Sequence, residues 1–136
     1  MVDRFHLDTD FLIFAVAEDG AERARLRDLA ASEAIIEMSA IAWYEFCRGP
    51  RTPEQLAAAR DLLGDEGVVP FTREASELAA DQFRRLGSPR RRAADVAIGL
   101  TAAQREAVLL SGNQRDFAGV DGLRVEGPER RRGGGC

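Results

Sequence analysis

The chain has 136 residues, 45% of them hydrophobic and 31% charged, with a formal net charge of -4 at pH 7. That length carries one domain with a real core, the charge argues against a protein that coats nucleic acid wholesale, and no apolar run approaches the roughly 20 residues needed to span a bilayer. Every basic residue is arginine, which excludes a P-loop and a phosphate-receiver domain, since both depend on a lysine.

Phe5, His6 and Leu7 read as a short strand ending at Asp8, and Phe11 to Ala17 as a helix capped by Thr9 or Asp10. Asp8 then stands at the carboxyl end of a strand, the edge where ligands bind in an open α/β sheet. Glu18-Asp19-Gly20 signals a loop. Residues 21–32 predict a second helix with Leu26, Leu29 and Ala30 on one face. Ala34 to Met38 predicts a second strand, and Ser39 caps a helix over 40–48 that Gly49 and Pro50 end. Pro53 opens a helix that runs to Leu63. Val68 to Phe71 predicts a third strand, and Thr72 caps a helix from Arg73 to Leu86. Gly87-Ser88-Pro89 breaks the chain before Arg90, Arg91 and Arg92. Residues 93–105 are largely small or apolar and predict a helix packed on most sides. Ala107 to Leu110 predicts a fourth strand, Gln114 to Ala118 one helical turn, and Leu123 to Glu126 a last strand. Residues 127–136 contain nothing for a core, and this tail is expected to be disordered.

The alternation predicts an α/β fold: one three-layer α/β/α domain over residues 1–126, with a mainly parallel central sheet of four or five strands. Cys47 and Cys136 make neither a disulfide framework nor a zinc site, and Cys47 is expected to be buried. The lone His6 is expected to be structural. The N-terminal stretch lacks the apolar core of a signal peptide, so a cytoplasmic location is expected, with no membrane partner.

Most acids fall on exposed helix faces or in loops, but four do not. Asp8 ends the first strand, and Glu45 sits among Trp43, Tyr44 and Phe46. Asp95 is the only charge between Arg92 and Arg105, and Asp116 follows the fourth strand. In a parallel sheet all four can face one carboxyl edge. Each also has a plainer explanation: Asp95 as a helix-start acid, Glu45 as a partner of Arg48, Asp116 as a turn residue. Four carboxylates in one cleft repel, and a divalent cation with oxygen ligands relieves the conflict. Such a site can activate water and stabilise charge on a phosphoryl oxygen, which suggests metal-dependent phosphodiester hydrolysis.

The segments Leu7-Asp8-Thr9-Asp10-Phe11-Leu12-Ile13, Ser39-Ala40-Ile41-Ala42-Trp43-Tyr44-Glu45-Phe46, Ala94-Asp95-Val96-Ala97-Ile98-Gly99 and Ser111-Gly112-Asn113-Gln114-Arg115-Asp116-Phe117 resemble the four acidic motifs of PIN-domain nucleases. In order and spacing they are similar to the VapC toxins of VapBC toxin–antitoxin modules. The resemblance implies a PIN-like domain with Asp8, Glu45, Asp95 and Asp116 as an acidic quartet. Asp8, Asp95 and Asp116 would hold Mg²⁺ or Mn²⁺, while Glu45 orients a water or a second ion. Thr9 would orient Asp8 or a water, and Asn113 and Ser111 would support the last loop. Ser111 stands where threonine is usual, and Asp10 where asparagine is frequent. Which of Asp8 and Asp10 contacts metal stays open, with Asp8 favoured. The resemblance further implies an endoribonuclease, a homodimer and a cognate antitoxin that can place an arginine in the cleft. Arg84, Arg85, Arg90, Arg91 and Arg92 flank Asp95 and would contact RNA phosphates. Two alternatives compete with the nuclease. One is a PIN-like module that binds a partner without catalysis. The other is a haloacid dehalogenase-like phosphatase, whose Asp-x-Asp opening Asp8-Thr9-Asp10 also resembles, although such enzymes usually carry a cap domain for which this chain has little room.

Overall fold

The computed structural model describes residues 3–129, in which strands and helices alternate. The elements are β1 (Arg4–Leu7), α1 (Thr9–Ala17), α2 (Ala21–Ala31), β2 (Ile35–Ser39), α3 (Ala40–Arg48), α4 (Pro53–Leu63), β3 (Val68–Val69), α5 (Arg73–Arg85), α6 (Ala93–Gln104), β4 (Val108–Leu110) and β5 (Arg124–Glu126). Short 3-10 turns lie at Arg90–Arg92 and Gln114–Phe117. Residues 130–136 of the tail expected to be disordered lie outside the described residues. None of the described helices is long and apolar enough to cross a membrane.

The helix starts follow from their caps. The Ser39 hydroxyl accepts the Ala42 N–H, the Thr72 hydroxyl accepts the Ala75 N–H, and Thr52 forms a reciprocal box with Gln55. Each such cap is worth about 1 kcal/mol. For α1 the cap is Asp8, not Thr9 or Asp10: the helix begins at Thr9, two residues before the apolar run from Phe11, and the Asp8 carboxylate accepts the Thr9 N–H. β3 stops at Val69 instead of reaching Phe71, because Pro70 has no N–H to give the ladder.

The five strands form one parallel sheet in the order β3-β2-β1-β4-β5. Helix α1 packs on both α2 and α4, α5 packs on α6, and the sheet makes the middle of three layers. Leu7, Leu12, Met38, Phe46, Ile98, Leu109 and Leu110 are fully buried at its heart. Each such side chain contributes about 1.5–3 kcal/mol by leaving water. Successive crossovers step from β1 to β2 to β3, then return to the other side of β1 at β4. The chain direction therefore switches between β1 and β4, and a crevice opens at their carboxyl ends.

Two side chains depart from simple patterning. Cys47 is exposed, not buried. Ala42 and Phe46, four apart, take the inward face of α3 and turn Cys47 outward. Glu37, which the strand pattern hides, is a fifth acid in an apolar setting. It is 5% exposed and lies beside His6 in the β1–β2 register. His6 Nε2 donates to Glu37 Oε1 at 3.0 Å, and Arg105 donates to both Glu37 oxygens at 3.2 and 2.6 Å. Arg4 adds a cation at 3.7 Å. Burial alone would raise the Glu37 carboxyl. The hydrogen bonds from Arg105 and His6, with the arginine charge, reverse this and hold it below the usual range. Burial lowers the His6 pKa against the pull of Glu37, so the ring stays neutral and serves structure.

Candidate active site

The crevice at the switch point is a cleft of about 330 Å³ lined by Asp8, Thr9, Asp10, Ile13, Glu45, Arg48, Asp95, Asn113 and Asp116. All four acids singled out by sequence meet there, from four different stretches of chain.

Asp8 is fixed first. Its N–H donates to the Leu110 carbonyl at 3.0 Å, so the β1–β4 ladder runs one residue past the strand and sets Asp8 beside Ser111. One carboxylate oxygen accepts the Thr9 N–H and the other accepts the Ser111 hydroxyl, each at 2.8 Å. The same Ser111 oxygen accepts the Asn113 N–H at 2.9 Å, tying the loop after β4 to the acid after β1. The Asn113 side chain donates to Asp10 at 3.3 Å. Thr9 orients Asp8 through its backbone, while its hydroxyl donates to Glu45 Oε1 at 2.8 Å. Glu45 is thereby held toward Asp8, with Arg48 4.0 Å from its other oxygen.

Asp95 comes from the first turn of α6, where the helix dipole favours an acid. Gly99 stands one turn further along. A Cβ there would come within 3.0 Å of Leu123 and 3.3 Å of Phe117. Its absence lets the Gln114–Phe117 turn settle on α6 and brings Asp116 toward Asp95. Arg92 clamps the same turn by donating to the carbonyls of Asp116, at 3.0 Å, and Ala118.

The acids feel one another. Asp95 is raised to about 6 by burial and by the charges of Asp8, Asp116 and Glu45, with Arg92 opposing. Asp8 is raised too: burial and the charges of Asp10 and Glu45 outweigh the hydrogen bonds from Ser111 and Thr9. Burial is the larger cause for both, and the neighbouring carboxylates add repulsion without enough positive charge to cancel it. Among the described residues no three acids are drawn together into a ready-made metal cage. Mg²⁺ does not require one, since it keeps several waters and takes one or two carboxylates directly. Hard oxygen donors in an excess of negative charge fit Mg²⁺ or Mn²⁺.

The arginines fall out differently from the sequence expectation. Arg84 lies 3.8 Å from Asp81, and Arg85 pairs with Asp81 at 3.0 Å and Asp121 at 2.8 Å. Neither lines the cleft. Arg90 and Arg91 are exposed on the turn before α6, and Arg92 bonds the carbonyls of the turn that carries Asp116. The arginine in the cleft wall is Arg48, which sequence reasoning named only as a partner for Glu45. Its spacing of three from Glu45 on one helix face was the available signal.

Comparison with known proteins follows the same lines. No curated protein matches the sequence. Solved structures do match the fold. DNA-bound VapBC from Salmonella typhimurium superposes with a TM-score of 0.70 at 22% identity, covering 94% of this chain and 99% of the other. VapBC2 from Rickettsia felis, bound to a DNA fragment from its promoter, gives 0.68 at 17% identity over 91% and 98%. FitAcB from Neisseria gonorrhoeae gives 0.64 at 19% over 91% and 97%. The PIN domain family matches residues 6–123, which include all four acids and the whole sheet except β5 and the first two residues of β1. With its parallel sheet, its switch-point cleft and this match over most of its length, the chain belongs to the PIN domain family, whose members are in general nucleases.

Proposed function

We propose that this protein is a metal-dependent endoribonuclease acting as the VapC-type toxin of a toxin–antitoxin pair. The observation that carries the reading is the meeting of Asp8, Glu45, Asp95 and Asp116 in one cleft at one sheet edge, where burial and the neighbouring acids together raise Asp95 to about 6. Asp8, Asp95 and Asp116 would hold Mg²⁺ or Mn²⁺. When bound, the ion supplies neutralisation of the cleft and a lowered pKa for a coordinated water. Glu45, held by the Thr9 hydroxyl, orients the attacking water and takes up its proton. A bond forms from the water oxygen to phosphorus, the bridging P–O bond breaks, and the leaving alkoxide takes a proton from solvent while Glu45 returns its own to solvent. Ser111 fixes the rotamer of Asp8, and Asn113 fixes the loop that presents Asp116. Arg48 and Arg92 supply positive charge at the rim for the RNA backbone.

An antitoxin partner fits a second feature. An apolar groove of about 480 Å³ lies away from the cleft between α1, α2 and α4, lined by Leu12, Ala15, Val16, Leu26 and Leu62 and edged by Arg23, Arg27 and Glu54. An amphipathic helix would fill it. The matched folds are of toxin–antitoxin complexes, which supports this assignment.

The test is cleavage of total cellular RNA by purified protein with Mg²⁺ or Mn²⁺, beside EDTA and Asp95→Asn. Discrete fragments that need both the metal and Asp95 are expected. Metal binding without any cleavage would favour a binding module, and a trapped phosphoaspartate at Asp8 would favour the phosphatase.

A further inference from the structure

Among the described residues three large apolar side chains stand well exposed: Tyr44 at 65%, Phe14 at 48% and Leu78 at 42%. Two of them adjoin cleft-lining residues in sequence, Phe14 after Ile13 and Tyr44 before Glu45. Tyr44 is the most exposed and has no packing reason to be aromatic. On α3, Ala42 and Phe46 face the core, and Trp43 stacks on Phe46 with ring centroids 5.5 Å apart, leaving Tyr44 on the outer side. Helical propensity does not favour tyrosine at such a position.

What Tyr44 does meet is Arg48, one turn on, whose guanidinium lies 5.9 Å from the ring centroid. The same Arg48 lines the acidic cleft and lies 4.0 Å from Glu45. One end of this pair is thus a cation at the place where a phosphodiester would lie. The other end is an aromatic face just outside it. A nucleotide has that same pairing of anion and flat π-surface. Aromatic rings with adjacent arginines are how proteins hold single-stranded bases with little demand on sequence.

We infer that Tyr44 is a stacking platform for a nucleobase flanking the scissile phosphate, with Arg48 bridging the stacked nucleotide to the cleft. This rests on the ribonuclease reading above. Tyr44 is a substrate-positioning residue and takes no part in proton transfer. It holds the strand so that the adjacent phosphate reaches the four acids.

The experiment uses the full chain and a short single-stranded oligoribonucleotide spanning the cut site mapped on total RNA, with 2-aminopurine in turn on either side of the cut. Binding is read by 2-aminopurine quenching with Ca²⁺ in place of Mg²⁺, and cleavage by the split between kcat and KM with Mg²⁺. In wild type the probe base on one side of the cut is quenched. Tyr44→Ala and Tyr44→Leu lose that quenching, weaken binding by about tenfold, the loss of one base–aromatic stack, and raise KM with kcat held. Tyr44→Phe and Tyr44→Trp restore all three. Equal quenching and KM in Tyr44→Leu and wild type would overturn the stack while leaving the ribonuclease intact. So would a change in sedimentation without a change in KM, which would make Tyr44 a contact between copies of the chain. If wild type cuts no RNA at all, the ribonuclease reading fails and the platform falls with it.

Discussion

Glu37 and Asp95 are acids of the same domain, each held against apolar packing, and their surroundings push them in opposite directions. Glu37 lies between His6, Arg105 and Arg4, and is held below the ordinary carboxylate range. Asp95 is half-buried and faces Asp8, Asp116 and Glu45, with Arg92 as the opposing cation; burial first and these charges second raise it to about 6. Unusual placement alone therefore does not distinguish a structural acid from a functional one. Charge compensation does. The Glu37 cluster closes its own electrostatic account within the chain and leaves nothing for a ligand to do. The cleft has an unmet demand for positive charge, and that demand is what a cation and then a phosphodiester can use.

The largest expected effect breaks the compensated side. Glu37→Ala strips the carboxylate from the part-exposed Arg105 and leaves the buried His6 ring without its acceptor. Losing those charge-assisted hydrogen bonds and leaving a buried polar group unpaired costs about 3 kcal/mol, a large share of the roughly 5–15 kcal/mol that holds a domain of this kind. Urea denaturation should show the midpoint collapse while cleavage per folded molecule stays near wild type. Next comes the uncompensated side. Asp95→Asn should cut RNA cleavage by about 100-fold or more, the scale set by losses around a metal site, with circular dichroism unchanged. Ser111→Ala acts one step back. It frees Asp8 and the Asn113 N–H at once, and should lower kcat about tenfold at a stability cost of about 1 kcal/mol.

A smaller effect has the opposite sign. Asp95 is protonated in the fold up to about pH 6 but in the unfolded chain only up to 3.8. Between those values the unfolded chain binds fewer protons, so stability falls as pH rises through the window and stays reduced above it. Asp95→Asn should therefore be more stable than wild type at neutral pH without metal. The gain is of order 1 kcal/mol, since solvent screens a half-exposed carboxyl, and it should vanish below pH 3.8. Thermal melts of both proteins at pH 4 and pH 7.5 in EDTA, roughly the two sides of the window, would check it. The least effect is expected at Arg85, whose exposed pairs with Asp81 and Asp121 are screened by solvent. Arg85→Ala should leave KM for RNA unchanged, whereas Arg48→Ala should raise it.

Much of the fold could be read from the chain, because each element announces itself locally. Ser39 and Thr72 precede apolar-periodic runs and cap them in the structure, and Pro53 opens α4 as expected, although its cap Thr52 was not foreseen. The acids at Asp8, Glu45, Asp95 and Asp116 stood out because each interrupts apolar or small neighbours, and the sheet order gathers them at one edge. What could not be read depends on pairs distant in sequence. Glu37 looked like an ordinary polar residue of a strand, since its partners His6 and Arg105 lie 31 and 68 positions away. Arg85 looked free until Asp121, 36 positions on, arrived beside it. The role of Gly99 needed the contact with Phe117 and Leu123 to become visible. The cap of α1 was misread by one or two residues, because Asp8 serves both as cap and as cleft acid.

The most direct test of the contrast between the two acid sites is Mn²⁺ binding by titration calorimetry at neutral pH, on wild type and Asp95→Asn. Wild type should bind Mn²⁺ and gain melting temperature with it by mass action, and Asp95→Asn should bind at least about tenfold more weakly. Equal binding by the two proteins, or none by wild type, would contradict the claim that the crowded carboxylates of the cleft are there to hold a divalent cation.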